Sequence, residues 1–144
     1  MKILYDTSIL VASIVADHPK HDLCYQHFSN GLLGDHKIYV CTHSIAETYS
    51  TLTKTLMKPR ISPGAARQII RDNIISKCNI VQLDQQDYEN ALDFSVDRGL
   101  SGATIYDILI FQSFKKVKAN KIATLNVRHF TPFFDDNFNH ILSF

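Results

Sequence analysis

What the chain lacks narrows it first. No run of apolar residues approaches the roughly 18 needed to cross a bilayer, so no membrane span is expected. Met1-Lys2 leads straight into Ile3-Leu4-Tyr5-Asp6. An acid followed by hydroxyls so early interrupts the apolar stretch of a signal peptide, so no export is expected either. Cys24, Cys41 and Cys78 are odd in number and widely spaced, with no CxxC pair, which excludes a disulfide framework and points to the cytoplasm. Neither a P-loop nor a GxGxxG is present, so nucleotide-cofactor chemistry has no support. Proline and glycine together number only nine, and there is no repeat, linker or low-complexity stretch. With 45% apolar and 20% charged residues, 144 residues suit one folded domain over 1–144.

Net charge is also scarce, at +1, but its distribution is uneven. Residues 43–77 carry Lys54, Lys58, Arg60, Arg67, Arg71 and Lys77 against Glu47 and Asp72. Residues 114–128 carry Lys115, Lys116, Lys118, Lys121 and Arg128 and no acid, whereas 78–113 hold six acids and only Arg98. Local basic surfaces can gather a polyanion on a nearly neutral molecule, although solvated helix faces give the same pattern.

Periodicity predicts strands at Ile3–Tyr5, Lys37–Thr42, Asn79–Leu83, Lys121–Leu125 and His140–Phe144. Between them it predicts helices over 9–16, 20–33, 45–56, 65–75, a helix capped by Asp84 and running to Phe94, and one over 104–117. Pro59 and Ser62-Pro63-Gly64 break the chain between two of these. Short apolar strands alternating with helices imply an α/β fold, a three-layer α/β/α sandwich around a mainly parallel five-stranded sheet. Ligands of such sheets bind beyond the carboxyl ends of the strands, where strand order reverses.

Three acids stand where that rule directs attention. Asp6 ends the first strand, Glu47 lies one turn into the helix after the second, and Asp107 lies in the first turn of the 104–117 helix. Each also has a local explanation. Asp6 can cap the helix at Ser8, and Ser44-x-x-Glu47 and Thr104-x-x-Asp107 both match the capping box. Capping accounts for each position but not for their convergence. Carboxylates ~5 Å apart repel by roughly 3 kcal/mol at an effective dielectric of 20. Three in one pocket therefore need a cation, or one takes up a proton. Oxygen ligands with no Cys or His close by suit Mg²⁺ or Mn²⁺, the ions of phosphodiester hydrolysis.

Four segments then resemble the PIN-domain family, and within it the VapC-like toxins: Ile3-Leu4-Tyr5-Asp6-Thr7-Ser8-Ile9-Leu10, Ser44-Ile45-Ala46-Glu47-Thr48-Tyr49, Tyr106-Asp107-Ile108-Leu109-Ile110 and Ala123-Thr124-Leu125-Asn126-Val127-Arg128-His129-Phe130. Each alone fixes few positions, but their order and spacing cover nearly the whole chain. The resemblance implies an endoribonuclease that leaves 5′-phosphate and 3′-hydroxyl ends on single-stranded or loop RNA. By it, Asp6 and Asp107 bind the metal, Glu47 completes the acidic cluster, and Ser8 and Thr104 hydrogen-bond the carboxylates or the phosphate. At the fourth motif many relatives place Asp and this chain has Asn126, which ligates through its carbonyl but leaves one negative charge fewer for a second cation. Arg128, Lys115 and Lys58 are candidates to hold flanking phosphates, and Tyr49 or Tyr106 to stack a base. A small antitoxin and a homodimer are family expectations.

Other features carry less. His18-x-x-His21-x-x-Cys24-x-x-His27 steps about 60° around a helix each time, so the four cannot face one zinc ion. Asp6-Thr7-Ser8 lacks the second acid of haloacid dehalogenase-type enzymes. Phe130, Phe133, Phe134 and Phe138 are expected in the core or at a dimer surface, and Asp135-Asp136 in a solvated turn. Two other functions stay open: a housekeeping RNA-processing nuclease without an antitoxin, and a non-catalytic RNA- or protein-binding module that keeps the fold.

Overall fold

The computed structural model describes residues 1–54, 58, 60–135 and 138–144, with nothing of the Phe138 side chain. The expectations at Leu56, Pro59, Asp136 and Phe138 lie outside the described residues. Five strands form one sheet: β1 (Lys2–Tyr5), β2 (Lys37–Cys41), β3 (Asn79–Val81), β4 (Lys121–Ala123) and β5 (Ile141–Leu142). Their order is β3-β2-β1-β4-β5 and every pairing is parallel. Between them run α1 (Thr7–Ile14), α2 (His21–Leu32), α3 (Thr42–Leu52), α4 (Pro63–Ile70), α5 (Gln85–Asp97), α6 (Thr104–Val117) and the short α7 (Val127–Phe130). Among the described residues no helix is long and apolar enough to cross a membrane.

Alternation along β1 builds two cores. Ile3 and Tyr5 point to one face, where they meet Ile9 and Leu10 of α1, Phe28 of α2 and Ile70 of α4. Leu4 points to the other, against Ile108, Phe111 and Phe114 of α6 and Ala91 of α5. Because both faces are covered, the strands are apolar throughout, as a parallel sheet requires. Phe130, Phe133 and Phe134 belong to the second core, at 0%, 3% and 8% exposure.

Where boundaries differ from the periodicity there is a local cause. β2 passes into α3 with no loop, Cys41 ending the strand and Thr42 opening the helix. The helix expected over 65–75 divides into α4 and a π-turn, Arg71–Ile75, which keeps Ile70 and Ile74 in the core. Asp84 does cap α5, through a reciprocal capping box with Asp87.

The order places β1 centrally. The chain lays β2 and β3 on one side of it and β4 and β5 on the other, so strand order reverses between β1 and β4. A crevice must open there at the carboxyl ends.

Candidate active site

Asp6 is the first residue past β1, and its amide donates to the Ala123 carbonyl at 2.9 Å, tying the tips of β1 and β4 together. Tyr5 pairs with Ala123, so the next residues along, Asp6 and Thr124, lie side by side. The Asp6 carboxylate is 4% exposed and holds two hydroxyls on one oxygen. Ser8 Oγ donates to Oδ2 at 2.6 Å and Thr124 Oγ1 donates to it at 2.8 Å. Each hydroxyl in turn accepts a backbone amide, Ser8 Oγ from Leu125 at 3.0 Å and Thr124 Oγ1 from Asn126 at 2.9 Å. Both hydroxyl protons are thereby committed to Asp6. Its other oxygen, Oδ1, receives no hydrogen bond among the described residues and is the lone pair left for a cation.

Capping does not explain the three acids. Asp6 occupies the position before α1, but its side chain caps nothing. α3 opens at Thr42, so Ser44 falls inside the helix, with its buried hydroxyl unpartnered. α6 opens at Thr104 after Ala103, with no side-chain cap. Glu47 Oε2 instead accepts a hydrogen bond from Thr7 Oγ1 at 2.8 Å, and His43 Nε2 lies 3.7 Å from the same oxygen.

Asp107 faces these two acids. Burial first, then the charges of Asp6 and Glu47, push its carboxyl up to about 6, while His129 beside it opposes the rise. His129 Nδ1 stands 3.2 Å from Asp107 Oδ2. Asp6, Glu47, Asp107 and Asn126 all line one cavity of about 370 Å³, together with Thr7, Ser8, His18 and Tyr106. Four residues from four separate elements thus share one pocket at the point where strand order reverses.

The donor set suits a hard cation held sparingly. Among the described residues no three Asp, Glu, His or Cys side chains close into a ready-made coordination shell. Mg²⁺ keeps several waters and takes one or two carboxylates directly, so Asp6 and Asp107 suffice, with Glu47 reaching the ion's water shell. The expectation that no histidine stands near is corrected: His43, His129 and His18 line this region because the helices bring them in from separate segments. His129 turns Nδ1 to Asp107, the arrangement by which an imidazole orients a carboxylate.

The other candidate residues lie at varied distances from the acids. Thr104 makes no hydrogen bond to any of the acids. It lines an adjoining groove of about 380 Å³ with Asp107, His129 and Arg128, where a phosphate remains within the expectation for it. Lys115 lies near the far end of α6, its Nζ 5.3 Å and 5.1 Å from the rings of Phe94 and Phe111. Tyr49 lines an apolar groove between α3 and α4. Lys58 is exposed and lines none of the cavities that touch the acids. His18, His21, Cys24 and His27 disperse, as their helical spacing predicts. His18 borders the acid pocket, His21 bonds the Ala12 carbonyl, Cys24 is in the core, and His27 contacts Tyr5.

Thr7, Thr124, His43 and His129 went unassigned in the sequence. Thr124 had a usable signal: a hydroxyl one place beyond a strand that neighbours β1 is within reach of Asp6. The histidines had none, since their approach depends on side-chain placement.

The PIN domain model matches residues 3–131. Ribonuclease VapC40 of Mycobacterium tuberculosis is 29% identical over 123 residues, 85% of each chain. Among solved structures, VapC20 of Mycobacterium tuberculosis, described as a sarcin–ricin loop cleaving toxin, superposes with TM-score 0.65 at 18% identity, covering 94% of this chain and 92% of its own. VapBC2 from Rickettsia felis, bound to a DNA fragment from its promoter, gives 0.66 at 18% identity over 100% and 99%. FitAcB from Neisseria gonorrhoeae gives 0.65 at 16% identity over 99% and 96%. The chain belongs to the PIN-domain family.

Proposed function

We propose that this chain is a metal-dependent endoribonuclease that cuts single-stranded or loop RNA, and that it is the toxin of a toxin–antitoxin pair. The observation that carries the catalytic part is the Asp6 carboxylate, held by Ser8 and Thr124 on one oxygen and open on the other, opposite Asp107 in the same pocket. A divalent cation, Mg²⁺ or Mn²⁺, would be held there by Asp6 and Asp107, where it would activate water and offset charge on the phosphate. Glu47, fixed on Oε2 by Thr7, keeps Oε1 available to accept a proton from water entering the pocket. Asn126 offers a carbonyl oxygen where an acid would add charge, which favours one strongly held cation over two. His129 keeps the Asp107 carboxylate turned toward the cavity.

The toxin assignment rests on the relatives. A curated ribonuclease VapC is similar over most of the chain, and a toxin–antitoxin complex from Klebsiella pneumoniae contains the same fold. RNA is favoured over duplex nucleic acid because a stacked helix resists bending its backbone into a pocket at a sheet edge.

Purified protein incubated with single-stranded RNA and Mg²⁺ should yield fragments with 5′-phosphate and 3′-hydroxyl ends, and none in EDTA. Cleavage that persists unchanged in Asp6→Asn or Asp107→Asn would refute this site. Expression should arrest growth, and co-expression of a small protein encoded beside it should relieve the arrest. Cleavage without arrest would favour a housekeeping nuclease, and calorimetry showing no Mg²⁺ binding would favour a non-catalytic module.

A further inference from the structure

The acid pocket is the middle of a longer trough. It shares Ala103, Asp107 and His129 with the groove that Arg128 lines, and on its other side it shares Glu47, Thr51 and Tyr106 with a third cavity of about 360 Å³ that Lys54 lines. A cation therefore stands at each end of a continuous depression and the carboxylates in the middle. Neither Arg128 nor Lys54 forms an ion pair among the described residues, and both are exposed. Such spacing suits an extended polyanion whose flanking phosphates reach the two cations while one phosphate sits over the acids.

Tyr106 gives this trough a feature that electrostatics does not explain. It lies on α6 one residue before Asp107, yet 48% of it is exposed. Its ring stacks on His43 of α3, with centroids 5.0 Å apart and planes within 10° of parallel. His43 is half-buried between Tyr106 and Glu47, so it backs one face of the phenol and fixes the ring plane. The opposite face has no aromatic partner among the described residues. A rigid, flat, half-exposed ring beside a phosphodiester site is what an unpaired base stacks upon.

We propose that Tyr106, backed by His43, is the platform for one nucleobase of a single-stranded RNA next to the scissile phosphate. On this view the strand leaves past Lys54 on the platform side and past Arg128 on the other. The inference rests on the nuclease reading and adds to it a requirement for an unpaired base at one defined position. Stacking tolerates every base, so the platform selects for single-strandedness more than for sequence.

Two measurements test it. In EDTA, a labelled five-nucleotide adenosine RNA is titrated by fluorescence anisotropy. Tyr106→Leu should weaken binding roughly 5- to 100-fold, Tyr106→Phe should recover most of the loss, and Tyr49→Ala, a similarly exposed tyrosine in a different groove, should bind as wild type. With Mg²⁺, an oligoribonucleotide carrying one abasic site at each position around the cut is then assayed for KM and kcat. One abasic position should raise KM in the wild type and add nothing in Tyr106→Leu. If Tyr106→Leu binds as tightly as wild type, or its effect multiplies with abasic substitution at every position, the platform is refuted. If no RNA is cut by the wild type, the nuclease reading fails, and the anisotropy series still decides whether Tyr106 stacks a base.

Discussion

Removing the charge of Asp107 should stabilise the metal-free protein while abolishing its activity. The fold holds this carboxyl at about 6, chiefly through burial, against an ordinary value of 3.8. A raised carboxyl favours its neutral form. Below about pH 4 the group is protonated in both folded and unfolded chains and contributes no difference. From pH 4 to 6 the unfolded chain sheds its proton while the folded one keeps it, so stability falls, and above pH 6 the whole penalty is present. A shift of this size corresponds to roughly 3 kcal/mol. The side chain is a quarter exposed, and solvent screening reduces this to about 1–2 kcal/mol. Asn removes the charge and keeps an oxygen facing His129. In EDTA at pH 7.5, Asp107→Asn should therefore melt about 3–8 °C above wild type, with the gain vanishing near pH 4. Mg²⁺ should reverse the order, since a hundredfold excess over Kd adds roughly 2.7 kcal/mol to a protein that binds it. Urea and thermal melts at both pH values, with EDTA and with Mg²⁺, provide the comparison. A variant that is no more stable than wild type at pH 7.5, or whose gain persists at pH 4, would show that the fold does not hold this carboxyl above its ordinary range.

Thr124→Val keeps the buried volume but removes a donor to Asp6 and an acceptor for the Asn126 amide. It should cost about 1.5–3 kcal/mol and raise the Mg²⁺ needed for cleavage about 10- to 100-fold, and an unchanged Mg²⁺ titration curve would refute the role. Gly31→Ala should destabilise although alanine is the better helix former. An added Cβ would meet His36 Nε2 at 2.6 Å and Ile38 Cδ1 at 2.7 Å, and His36 is held by Tyr5, so overpacking of about 1–3 kcal/mol outweighs a propensity gain of about 1 in a urea melt. Tyr5→Phe should cost about 1–3 kcal/mol, because the Tyr5 hydroxyl bonds both His27 Nδ1 and His36 Nε2 inside the core. A urea melt at pH 7 provides the measurement.

The strands were legible because each is short, apolar and followed by polar residues, and the helix over 104–117 because its apolar residues run from Ile105 to Val117 and a left-handed Lys118 stops it. Boundaries failed where a tertiary demand replaced local punctuation. The strand expected to reach Leu125 stops at Ala123: the Thr124 amide still donates to the Leu142 carbonyl, but the Asn126 amide then turns back onto the Thr124 hydroxyl and the chain leaves the sheet. The start of α3 was missed because Thr42-His43-Ser44 offers no glycine, proline or asparagine to mark it. In the site, acids could be found because a carboxylate just past a strand is conspicuous in sequence. Of their hydroxyl partners, Ser8 follows from the resemblance, whereas Thr7 does not, because a threonine at a helix start has an equally good local use.

That competing use gives the arrangement its meaning. Asp6 and Asp107 stand at helix starts, where a carboxylate or hydroxyl can satisfy free amides for about 1 kcal/mol per cap. Neither side chain does so, and Ser44 is left with a buried, unpaired hydroxyl. Asp84 shows that this chain caps a helix fully elsewhere, even though the same carboxylate also meets Lys116 Nζ at 3.2 Å. At the sheet switch point the same kinds of side chain are drawn together against their mutual repulsion, and each forgoes a stabilising contact within reach. A cation held between Asp6 and Asp107 would offset that repulsion, so without one the ionisation of Asp107 should cost the protein stability between about pH 4 and 6.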